Sequence, residues 1–189
     1  MRSRHEMGGW TMESVKKHEV EFANKMVRTV ALKTAPEMRL VGYSVGPFEE
    51  GQTCELPLWI AEELEKIDVV KIGEENVMNV EQLEKLRWLQ STQKGSKLLA
   101  LPPDFYPMVK HLIRRLSEKV DLAELKNYER ALHSFEDLVD VRGAIIVGLA
   151  MAGSEELPEN LTVEEKEAYE QLRNFIRSWK QQLIELNKT

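Results

Sequence analysis

The stretch Gly46-Pro47-Phe48-Glu49-Glu50-Gly51-Gln52-Thr53 carries the glycine spacing of a phosphate-binding loop, GxxxxG with a threonine two residues on. Such a loop works by aiming backbone N–H groups and a lysine ammonium at a polyphosphate. Here Gln52 stands where the lysine belongs, Pro47 has no N–H, and Glu49 and Glu50 would repel the ligand. A turn between strands is the better reading, and no cofactor is expected. The four histidines, His5, His18, His111 and His133, lie far apart, and none has a partner at metal-ligand spacing, so no metal site is expected either. Cys54 lacks a nucleophile signature and reads as a small apolar side chain; a site built from Cys54 and a histidine is the last-ranked alternative. The many carboxylates include no pair set as acid and base in an apolar pocket, so no catalytic residue is assigned.

Charge is unevenly spread. Residues Glu49 to Glu84 hold 11 acidic and 2 basic side chains, whereas Lys85 to Lys119 hold 8 basic and 2 acidic ones. Within the basic stretch, Lys110, Arg114, Arg115 and Lys119 fall on one side of a predicted helix, with Lys85, Arg87, Lys94 and Lys97 upstream. Such a patch can contact phosphates, which makes a stand-alone nucleic-acid-binding module the alternative function. Docking against an acidic surface, of a partner or of the chain's own Glu-rich module, is favoured, because the segment has no interleaved exposed aromatics or known nucleic-acid module and the charge swings so sharply between the two stretches.

The elements that must position these residues follow from composition and period. With 189 residues, 42% hydrophobic and 31% charged, the chain is of globular composition and has room for one ordinary domain and one small module. A single cysteine excludes an intrachain disulfide. The N-terminal residues lack the apolar core of a signal peptide, and the weakly polar run Gly143 to Gly153 is far shorter than a membrane span. A cytoplasmic, nucleoid-associated setting is expected, or a nuclear one in a eukaryote, with no membrane contact.

Residues 1–24 show no clean period and are expected to form a poorly ordered extension. Val27–Leu32, Leu40–Val45 and Val69–Ile72 read as strands, and Pro57 opens a helix with an apolar stripe of Trp59, Ile60, Leu64 and Ile67. Residues 25–73 therefore make a small β-rich domain with one helix. Residues 74–189 read as an α-helical domain. Asn79 with Gln82, and Thr162 with Glu165, have capping-box spacing, and Asp104 can cap the helix that opens with Phe105. A long pattern from Asp121 to about Met151 ends apolar nearly all round, weakened at Gly143 and Gly148 and stopped by Gly153. The last helix has a narrow seam of Tyr169, Leu172, Ile176, Trp179 and Leu183. Together with Leu138, Ile145 and Leu149, these seam residues are the candidate partner interface. The fold class is α+β, mainly α: a small strand-rich N-terminal domain followed by a helical bundle.

The block from Val45 to Ala61, with Pro47 and Phe48 in its GPF and Pro57, Leu58 and Trp59 in its PLW, resembles the segment of GINS subunits that reads GPF, a glycine-containing spacer, then VPLWLA. Asn79 to Leu86 resembles that family's DVEKLEKM stretch, and Leu101-Pro102-Pro103-Asp104-Phe105-Tyr106 resembles the entry to its next helix. Recognisable blocks cover about residues 27–120; residues 1–24 carry none. The β module comes first, as in the second and third Psf-type subunits and their archaeal counterpart, which the chain most resembles. The resemblance implies a non-catalytic scaffold of DNA replication. It would form a 2:2 hetero-tetramer with a sister GINS subunit and link the MCM helicase to a RecJ-like or Cdc-type protein. Primase or polymerase are further partners to consider, and the resemblance leaves direct DNA contact open.

Overall fold

The computed structural model describes residues 12–40, 42–73, 75, 77–95, 97–118, 121–153 and 156–186. Glu13–Met78 forms one compact unit, and Asn79–Thr189 forms the body of a second. Although the sequence predicts no regular structure before residue 25, Met12–Ala23 is a helix, α1. Its apolar pattern is short, but Lys17 and Glu21 pair at i,i+4, the Asn24 side chain caps the Val20 carbonyl at 2.8 Å, and Phe22 packs on the small core.

The small unit is built around β1 (Met26–Ala31), which runs between two antiparallel neighbours, β4 (Thr53–Pro57) and β5 (Val70–Ile72). Along β1 burial alternates, so that Val27, Thr29 and Ala31 face inward. The segment 40–45, predicted as one strand, instead runs from the end of one strand of a hairpin into the other: β2 (Met38–Leu40) and β3 (Tyr43–Val45) pair Leu40 with Tyr43. Gly42, at φ 82°, supplies the left-handed backbone of the turn. Thr53–Pro57, whose strand character the sequence hides behind Glu55 and Pro57, pairs with β1 over five residues. Pro57 closes β4 and caps α2 (Leu58–Lys66), where its missing N–H is no loss. Leu58, Ile60, Ala61 and Leu64 of α2 fill the core with Phe48, Leu56, Val70 and Ile72.

The helical unit consists of α3 (Val80–Ser91), α4 (Phe105–Ser117), α5 (Leu122–Ala152) and α6 (Val163–Leu186). The 31 residues of α5 span about 46 Å, and α3, α4 and α6 all pack on it. The Asn79–Gln82 capping box forms in both directions, at 2.8 and 3.1 Å. Asp104 does not cap α4 through its side chain. It sits in the left-handed region at φ 59° after two prolines, not in the extended conformation usual for a capping residue. Gly143 and Gly148 are carried inside α5, which ends at Gly153 in the left-handed conformation (φ 74°). No helix among the described residues is long and apolar enough to cross a membrane.

Candidate interface and the buried polar centre

The glycine loop of residues 46–53 is a packed turn. Phe48, 2% exposed, is its anchor: its N–H and carbonyl pair with the carbonyl and N–H of Ala35 at 2.8 and 3.0 Å. The N–H of Gly51 goes to Ala31, that of Gln52 to Glu49, and that of Glu49 to the Gln52 side chain. Four amides that a phosphate would need are thus already used, two within the loop and two on Ala31 and Ala35. A Cβ on Gly46 would lie 3.2 Å from the Phe48 ring and 3.2 Å from the Pro36 carbonyl, so the glycine serves close packing. Trp59 is half-buried on α2 and meets Tyr43 edge-on at 5.6 Å. Cys54 is half-buried in β4, with its sulfur 3.1 Å from the Thr29 hydroxyl. Among the described residues no three His, Cys, Asp or Glu side chains group in a way that could hold a metal ion.

The predicted interface residues divide. Leu138, Tyr169 and Ile176 lie in the chain's own core, which corrects their placement on a partner surface; Ile145, Leu149 and Leu172 are partly buried around them. Trp179 and Leu183 are exposed, at 48% and 45%. The division follows from helix lengths. Glu165, near the start of α6, meets Arg142, and Lys180 reaches the Met151 carbonyl near the end of α5 at 3.2 Å. The two helices therefore run alongside in the same sense, and α6 outlasts its neighbour. The stripe that buries Tyr169, Leu172 and Ile176 against α5 continues through Trp179 and Leu183, where α5 has stopped. Phe175, Ile184, Val147 and Met151 add exposed apolar surface that the seam pattern alone does not include.

Of the predicted basic patch, Lys110 and Arg114 are exposed one turn apart, whereas Arg115 is partly buried about 140° around the helix from Lys110; Lys119 lies outside the described residues.

The most organised chemistry is one the sequence reading did not single out. Ala131, Ser134, Leu138, Arg142, Ile146 and Ala150 form the inward row of α5, and the arginine on that row is 1% exposed. All five of its N–H groups find acceptors. Nε and Nη2 grip Glu165 at 2.6 and 2.7 Å, Nη1 reaches the Gln90 side-chain oxygen at 2.8 Å and the Leu99 carbonyl at 2.9 Å, and Nη2 also reaches the Asn160 carbonyl at 3.0 Å. Glu165 accepts in addition from the Tyr106 hydroxyl at 2.7 Å and from the Thr162 N–H at 2.9 Å. Gln90 completes the set by accepting from the Leu99 N–H and donating to the Lys97 carbonyl. Burial would raise the Glu165 carboxyl, but hydrogen bonds from Arg142, Thr162 and Tyr106 outweigh it and hold the group below its usual range. Burial, reinforced by the Glu165 charge and the hydrogen bond to it, pushes the Tyr106 phenol above its own range. Each charge has its hydrogen bonds filled, so the cluster joins α3, α4, α5, α6 and the segments around Leu99 and Asn160. Two signals for it stand in the sequence: one cation on an otherwise apolar helix row, and a capping-box glutamate that has further lone pairs to fill.

Residues 16–72 match the family model of the PSF2 N-terminal domain. The human protein named DNA replication complex GINS protein PSF2 is 28% identical over 109 residues, covering 56% of this chain and 58% of that protein. The similarity is to GINS subunits of the PSF2 type. A Caenorhabditis elegans protein named probable DNA replication complex GINS protein PSF2 is 27% identical over 105 residues, 56% of each chain. The chain thus spans a little over half the length of these GINS relatives. The match begins at residue 16, inside α1, so it extends into the stretch for which the sequence shows no family block.

Proposed function

We propose that the chain is a non-catalytic assembly subunit of a GINS complex in DNA replication. In this reading it forms a 2:2 hetero-tetramer with a sister GINS subunit and joins the MCM helicase to a RecJ-like or Cdc-type partner. The overhanging end of α6 carries the proposal: Trp179 and Leu183 continue a buried stripe into solvent, flanked by exposed Phe175 and Ile184. A soluble chain seldom leaves several large apolar side chains together without a partner, and an aromatic anchor is what interface centres favour. The Arg142–Glu165 centre supports the non-catalytic part, since its hydrogen-bonding groups are taken up in joining elements of the fold.

The test is the solution mass of the chain alone and mixed with the sister subunit. A complex of two and two chains is expected, and a monomer that ignores the sister would overturn the proposal.

A further inference from the structure

We infer that the outer face of α3 is a stacking platform for single-stranded nucleic acid, centred on Trp88. This goes beyond the assembly role and does not depend on it. Trp88 is 60% exposed, the only large apolar side chain so exposed on α3 among the described residues. Its helical neighbours one turn either way are Glu84, Lys85, Ser91 and Thr92, so along α3 the indole is flanked by polar side chains. A base needs one exposed ring and nearby cations, and both are present here.

The electrostatics fit an anionic strand. Residues 85–97 hold Lys85, Arg87, Lys94 and Lys97 and no acid. Arg87 is engaged by Asp137 at 2.9 Å, and Glu84 is neutralised by Arg130 at 2.7 and 3.0 Å, which leaves Lys85, Lys94 and Lys97 exposed and Glu81 as the one acid further up the same face. The hydrogen bond from Gln90 to the Lys97 carbonyl returns the chain to the last turn of α3 on its buried side, about 200° around from Trp88, so Lys97 adds to the positive charge at that end of the helix rather than to the face of the ring. The negative end of the helix is muted, because the Ser91 and Thr92 hydroxyls donate to the Trp88 carbonyl at 2.9 and 3.0 Å.

The measurement is fluorescence anisotropy of a labelled 20-nucleotide oligothymidine titrated with the full chain at several salt concentrations. Binding is expected, with a log–log salt slope of about −2 for three phosphates neutralised. Trp88→Ala should weaken it about 5- to 150-fold, the range for one base stacked on an aromatic ring, while Trp88→Phe should keep most of it. Lys85→Glu, Lys94→Glu and Lys97→Glu together should abolish the slope. No binding by the folded parent chain, or equal binding by Trp88→Ala, would overturn the inference. So would an effect of Trp88→Ala confined to polyglutamate or to the sister subunit, which would make the face a protein contact. A chain that assembles with its sister but ignores the oligonucleotide refutes only this inference, and the reverse result refutes only the assembly role.

Discussion

At the scale of single residues, Arg142 and Glu165 decide most. Replacing Arg142 by Ala leaves a buried carboxylate without its cation and takes a donor from the Gln90 oxygen and two carbonyls, so a loss of about 3–5 kcal/mol of unfolding free energy is expected, read by chemical denaturation. Glu165 also sets a pH dependence. Its folded pKa is depressed, so its contribution is fully present above the unfolded carboxyl range near pH 4–5 and disappears as pH falls through the lower folded value. Melting curves of Glu165→Gln should accordingly be lower than the parent's at neutral pH and flatter on the acid side, and a parallel acid limb in both would count against the carboxylate's role. The centre was half legible in the sequence: the Thr162–Glu165 capping box can be read from spacing, whereas the 23-residue separation of Arg142 and Glu165 and the 52-residue separation of Arg142 and Gln90 are set by tertiary packing.

At the scale of elements, the caps of α3 and α6 and the length of α5 follow from local chemistry, which is why they could be read in advance. Elements governed by pairing could not. β4 is a strand because β1 offers it a ladder, despite Glu55 and Pro57, and the hairpin β2–β3 depends on one left-handed glycine inside a run of strand-forming residues. The glycines of α5 offer a clean test of the helix itself. Gly148 is exposed, and a Cβ there meets nothing within 4 Å. Gly148→Ala is expected to stabilise the helical unit by about 0.5–1 kcal/mol, seen as a raised denaturation midpoint at unchanged slope. At the other end of the scale, Asn79→Ala removes one partner of the α3 capping box and should cost about 1 kcal/mol in the same assay.

At the scale of the whole molecule, the chain pairs a small PSF2-type domain with a helical unit whose last helix is longer than the surface available to it. The heptad-like seam was visible in the sequence, but its division was not, because the end of α5 and the parallel course of α6 fix which residues are covered. Tyr169 and Ile176 belong to the fold; Trp179 and Leu183 are what the fold leaves over. Sedimentation equilibrium of the double variant Trp179→Ala, Leu183→Ala with the sister subunit tests this most directly, with the thermal melt of the isolated variant as the control for folding. The expected result is an isolated melt close to the parent's and assembly weakened at least about 100-fold, the effect of a lost interface anchor worth ~3 kcal/mol. Assembly as tight as the parent's, from a variant that melts normally, would contradict the placement of the interface on the overhanging end of α6.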